Sequence, residues 1–271
     1  MSSQPPTKQP VTGWQRSLVI GLDRGIYWLA RHWVGFFSLI AAIYVGLPIL
    51  APVLMKAGVT APARAIYTVY SPLCHQMASR SFFLFGDQAA YPRAIAGSSL
   101  TPIEAYMANL PEFAGASTDP AQWTTFLMAA RRFVGNEQMG YKMALCERDI
   151  AIYGFVLLAS IGYGLLRRRY EIKPMPIWLF FVLGMGPIAL DGFTQLFSQY
   201  ATALPSLSIL GRIFPLREST PLFRTLTGAI FGFSLVWLTY PHIDKGMRDT
   251  ERDLAVKLRR VGALPPETRP E

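Results

Sequence analysis

Cysteine, histidine and acidic side chains are all scarce in this chain. Its 271 residues hold only two cysteines and three histidines, and 17 acidic residues face 26 basic ones. Two cysteines exclude a disulfide-rich scaffold. Charged residues make up 16% of the chain against 51% hydrophobic ones. That balance excludes an intrinsically disordered chain and departs from water-soluble domains. Internal repeats, low-complexity tracts, a phosphate-binding glycine loop and a nucleophile elbow are all missing, so the chemistry those motifs serve has no support. The formal charge of +9 comes with no nucleic-acid motif. Its bases flank apolar runs, which points to lipid headgroups rather than nucleic acid as the partner.

What is present is long apolar sequence. A helix needs about 20 mostly apolar residues to cross a bilayer. Four stretches approach this: 33–55, 150–166, 176–197 and 221–240. The first carries no charge, and Pro48 and Pro52 are expected to kink its far half. The third carries Asp191 and the fourth Arg224. The expected fold is an all-α polytopic bundle of about four transmembrane helices with a helical extracytoplasmic cap and amphipathic terminal helices.

Lysines and arginines near span ends favour the cytoplasm. Arg16, Arg24 and Arg31, the run Arg167 to Arg169, and the basic residues from Lys245 to Arg260 fall on one side of a four-span chain. Both termini are therefore expected in the cytoplasm of a multi-pass cell-membrane protein. The organisation that follows has five parts. Residues 1–32 form a cytoplasmic arm in which Trp14, Leu18, Leu22, Ile26, Leu29 and Trp33 recur at the spacing of an in-plane interfacial helix. Residues 33–57 are the first span, and 58–149 are an extracytoplasmic helical segment. Residues 150–240 are a three-span bundle, and 241–271 a basic cytoplasmic tail with a charged helix from Thr250. Within the outer segment, Thr118 or Asp119 would cap a helix with Pro120 at its first position, burying Trp123, Phe126, Leu127 and Ala130.

The unusual polar residues converge on the outer layer. Cys74 and His75 are adjacent, with Arg80 close behind. Cys146, Arg148, Asp149 and Tyr153 open the second span, with Asp149 and Tyr153 continuing the face of Cys146. Asp191 and Gln195 lie four residues apart on the third. Glu218 and Arg224 lie at the outer end of the fourth. An intramembrane carboxylate rarely faces lipid. At matching depth, Asp191 and Arg224 are expected to pair.

The motifs "CHQMASRSFFLFG", "CERDIAIYG", "PIALDGFTQL" and "EST…FRTLTG" resemble a prokaryotic membrane-protein family, domain of unknown function 2085. The likeness covers roughly 70–86 and 140–240. Two positions depart from the family pattern: Asp149 stands where the family has a second cysteine, and Ala151 where it has glycine. About sixty residues also separate two motifs that are close together in the family. The resemblance implies a fold and a site layout, not a reaction.

Three readings stay open. In the first, Cys74, His75, Cys146 and Asp149 are metal ligands for zinc or another transition metal. Asp191 or Glu218 would then be a catalytic base, and Arg80, Arg148 or Arg224 would hold an anion. In the second, Cys74 and Cys146 form a disulfide, and the protein is a structural or assembly subunit alongside other membrane proteins. In the third, Asp191 and Arg224 line a path for a small ion or solute.

Overall fold

The computed structural model describes residues 13–119, 123–203 and 208–265. Four helical segments are long and apolar enough to cross a membrane: Trp14–Lys56, Glu147–Leu166, Ile177–Ala203 and Pro221–Arg260. The first is α1 and the second α4. The third consists of α5 (Ile177–Leu179), a π-helical turn (Phe180–Met185) and α6 (Gly186–Ala203). The fourth is α8. Their outward faces carry exposed Leu39, Ile43, Leu158, Ile161, Val182 and Phe233, as lipid contact requires.

At 43 residues, α1 is about 65 Å long, roughly twice the apolar thickness of a bilayer. It runs unbroken through the 32/33 boundary where the sequence suggests an in-plane helix and then a span. The 40-residue α8 likewise runs through residue 240 into the charged tail. The two ends pack together: Lys257 Nζ reaches Asp23 Oδ2 at 2.7 Å, and Arg24 donates to the Ala263 carbonyl at 2.8 Å. This basic end of the bundle is called the tail end below, and the opposite one the cap end.

Helices α4 and α8 make the closest approach. A Cβ on Gly228 would lie 2.7 Å from the Arg148 carbonyl oxygen, and one on Gly232 would lie 2.3 Å from that of Ile152. Two glycines four apart on α8 thus let the backbones meet, as small residues do between membrane helices. Gly232→Ala should force the helices apart and lower stability by about 1–3 kcal/mol, read as a lower melting temperature in detergent. An unchanged melting temperature would contradict the close contact.

The cap is built on residues 60–146. It contains α2 (Thr60–Tyr70) and α3 (Trp123–Arg132). It also contains a small antiparallel sheet, ordered β1 (Phe83–Leu84), β3 (Gly140–Lys142), β2 (Gly135–Asn136), which the sequence reading lacks. Phe83 pairs with Lys142, and Leu84 with Tyr141. The stretch from Pro102 to Phe113 forms three short 3-10 turns, because prolines at 102 and 111 bracket it. Met77, Phe83, Tyr91, Phe113, Phe126 and Phe133 make a core independent of the bundle. Pro120, expected to begin α3, lies outside the described residues.

Two prolines dock the cap. Each lacks an N–H, so it leaves the carbonyl four residues earlier without its helical donor. Pro48 frees Tyr44, whose carbonyl accepts from Tyr70 Oη at 2.8 Å. Pro52 frees Pro48, whose carbonyl accepts from Ala144 N at 3.2 Å. Both released acceptors thereby hold segments that lead directly to Cys74 and Cys146.

Lys142 locks the cap from inside. It is 1% exposed, and its Nζ donates to the carbonyls of Gln76 (2.6 Å), Arg131 (2.8 Å) and Ala130 (3.3 Å). The last two are terminal carbonyls of α3, where a cation is favourable. Burial pushes its ammonium down to about 7 from 10.5. The unfolded chain then binds the extra proton between those values, so stability should rise with pH across that window. A pH series of melting temperatures on wild type and Lys142→Met would test this. The rise should be present in the first and lost in the second.

Candidate metal centre at the cap end

Cys74 lies in the turn after α2, and Cys146 is the residue that precedes the first turn of α4. Gln76 holds them in register. Its backbone adopts a left-handed φ of 51°, and its Nε2 donates to the carbonyls of Tyr67 (2.8 Å) and Ala144 (3.0 Å). The result is a compact donor group: one ligand atom each from Cys74, Cys146 and Asp149, all within 4.8 Å of one another. Both cysteines are free thiols. The hydrogen bond from Cys146 holds the Cys74 thiol below its usual range, and the same bond, with burial, pushes Cys146 well up.

His75 falls outside this group. Its side chain is exposed, although it lines the same pocket of about 320 Å³ as Cys74, Cys146, Asp149, Arg80 and Arg148. Adjacent residues in an extended turn point in different directions, so the chain brings together three of the four expected ligands. Tyr153 lies a turn deeper, its ring 4.4 Å from that of Tyr44.

The expected Asp191–Arg224 pair is not formed. Asp191 is bound by Arg148, and by Arg217 at 2.9 Å. Arg224 spans Glu147 at 3.2 Å and Glu218 at 2.9 Å, and Glu218 also takes Arg80 at 2.8 Å. Depth alone placed Asp191 and Arg224 at one level. The rotation of each helix instead gives each charge a nearer partner. Gln195 accepts from Ser219 N at 3.2 Å, tying α6 to the segment that holds Glu218. Burial raises the Glu218 carboxyl, but Arg80 and Arg224 outweigh it and hold it below the usual carboxylate range. A carboxylate so held is a poor proton acceptor.

Two members of this network were not singled out as site residues from sequence: Glu147 and Arg217. Glu147 is fully buried, its signal being a charge inside the first turn of an apolar helix. Arg217 lies in a loop, where no motif or periodicity marks a single arginine. Among the described residues, Ser79 Oγ, Arg80 Nη2, Glu147 Oε1, Arg148 Nε and Ser219 Oγ are buried polar atoms with no protein partner. All five belong to this one layer.

Residues 136–238 match the model of the family described as predicted membrane protein DUF2085. The matched span contains Cys146, Asp149, Asp191, Glu218 and Arg224 and begins after Cys74. The likeness read from the motifs is thus found over residues 136–238, which leaves out the first span. An uncharacterised protein of Methanocaldococcus jannaschii is 26% identical over 176 residues, covering 65% of this chain and 67% of that one. No solved structure matches.

Proposed function

We propose that this multi-pass membrane protein, which matches the DUF2085 model over residues 136–238, binds a transition metal at the cap end through Cys74, Cys146 and Asp149. The observation that carries it is the meeting of two thiols and a carboxylate within 4.8 Å at an open pocket. Two sulfurs and one oxygen suit zinc, whose bonds to them are about 2.3 and 2.0–2.2 Å, so the three donors need to close in only slightly. Three protein ligands leave a fourth position for water or a substrate atom. That position faces a pocket lined by Arg80, Arg148 and Arg224, each already paired with a carboxylate, with Arg80 Nη2 and Arg148 Nε left as donors for a bound polar group. The basic residues of the tail end favour the cytoplasm for that end, which supports a site that faces outward.

A second reading rests on the same contact. Two thiols this close on an oxidising face would form a disulfide pinning the cap to α4. Cobalt(II) titration separates the two. Metal binding predicts tetrahedral d–d absorption with a thiolate charge-transfer band, both absent from Cys146→Ser. A disulfide predicts no band, and no alkylation of either cysteine until a reductant is added.

A further inference from the structure

Two cavities meet at the tail end of the bundle, far from the thiols. One is a cup of about 750 Å³ formed by the α4–α5 connection and the part of α8 beyond Pro241. The other is a groove of about 490 Å³ between α4 and α8, within the membrane-spanning length. Tyr163 and Ile172 line both, so cup and groove adjoin.

Their chemistries are opposite. The cup holds seven lysines and arginines against three acids. One acid, Asp244, is spent internally. It is bound by Arg167, by Arg248 at 2.8 Å and by Trp33 Nε1 at 3.2 Å. Asp249 has Arg252 at 3.7 Å. Arg168, Arg169, Lys173 and Lys245 remain, all exposed and none with an acidic partner among the described residues. Only Glu171 opposes them. The groove is walled by Leu158, Leu166, Phe233 and Trp237. Gly162 keeps it open, since nothing lies within 4 Å of where its Cβ would be. Trp237 Nε1 donates to the Lys173 carbonyl at 3.1 Å and fixes the lip between the two.

We propose that this composite site binds one anionic glycerophospholipid, with its phosphate in the cup and an acyl chain in the groove. A soluble phosphate would use the cup and leave the groove without purpose. A zwitterionic lipid would use the groove and leave four unpaired cations facing its own cationic headgroup. Only an anionic lipid satisfies both at the depth where a bilayer presents headgroup and chain together.

The test is lipid binding to the full-length protein in a neutral detergent, by native mass spectrometry and thermal shift. The probes are phosphatidylglycerol, phosphatidylcholine and inorganic phosphate. Phosphatidylglycerol should bind at least tenfold more tightly than phosphatidylcholine, and inorganic phosphate should give no shift. Arg168→Ala/Arg169→Ala/Lys245→Ala should weaken phosphatidylglycerol by about fivefold per charge, roughly a hundredfold in all. It should leave phosphatidylcholine and the lipid-free melting temperature unchanged, because none of the three supports the fold. Gly162→Phe should weaken both lipids. Equal affinity for the two lipids, an unaffected triple variant, or inorganic phosphate as effective as phosphatidylglycerol would each overturn the proposal. The last would make the cup a soluble-anion site.

Discussion

Replacing Arg224 with methionine should cost the protein about 3–5 kcal/mol, the loss typical of breaking a buried ion pair from one side. Arg224 is 3% exposed in its side chain and holds two carboxylates that are themselves 0% and 1% exposed. Without it, Glu218 keeps Arg80, but Glu147 loses its only charged partner among the described residues. Glu147 stands at the first turn of α4, directly after Cys146, so the failure reaches the candidate metal centre. The expected result is a large loss of monodisperse protein after detergent extraction. Glu147→Gln/Arg224→Met should recover part of it, because the stranded charge is gone, and the two substitutions should not add. A single Arg224→Met variant as stable as wild type would show that the network does not hold the cap end together.

Cys146→Ser should weaken zinc binding by more than about a hundredfold, since even an outer partner of a metal ligand typically accounts for 10–100-fold. Cys74→Ser should do the same. His75→Ala should change little, because the imidazole is exposed and outside the donor group. Asp149→Cys should bind cadmium more tightly than wild type by supplying a third soft donor. Competition against a chromophoric chelator gives these affinities. Equal zinc affinity in Cys146→Ser and wild type would remove the thiols from the site.

The four spans were legible because apolar length is a property of the chain alone: 150–166 and 221–240 lie within helices that start at Glu147 and Pro221. The cap sheet was not, because β1 is two residues long and pairs with β3 nearly sixty residues away, leaving no local alternation to read. The convergence of Cys74, Cys146 and Asp149 was legible by depth, since each ends or begins a membrane-facing element. The ion pairs were not. Hydropathy fixes how deep Asp191 lies but not which way α6 turns it, and that turn decides between Arg148 and Arg224. The role of Pro48 and Pro52 was also hidden. A proline announces a released carbonyl, while the donors that claim it, Tyr70 and Ala144, come from distant sequence.

Metal content per chain tests the central claim most directly. The protein would be purified in detergent without chelators and measured by inductively coupled plasma mass spectrometry alongside Cys74→Ser/Cys146→Ser. Close to one equivalent of zinc or another transition metal, lost in the double variant, is the predicted result. No bound metal in wild type, with the two thiols either free to alkylate or joined as a disulfide, would contradict it.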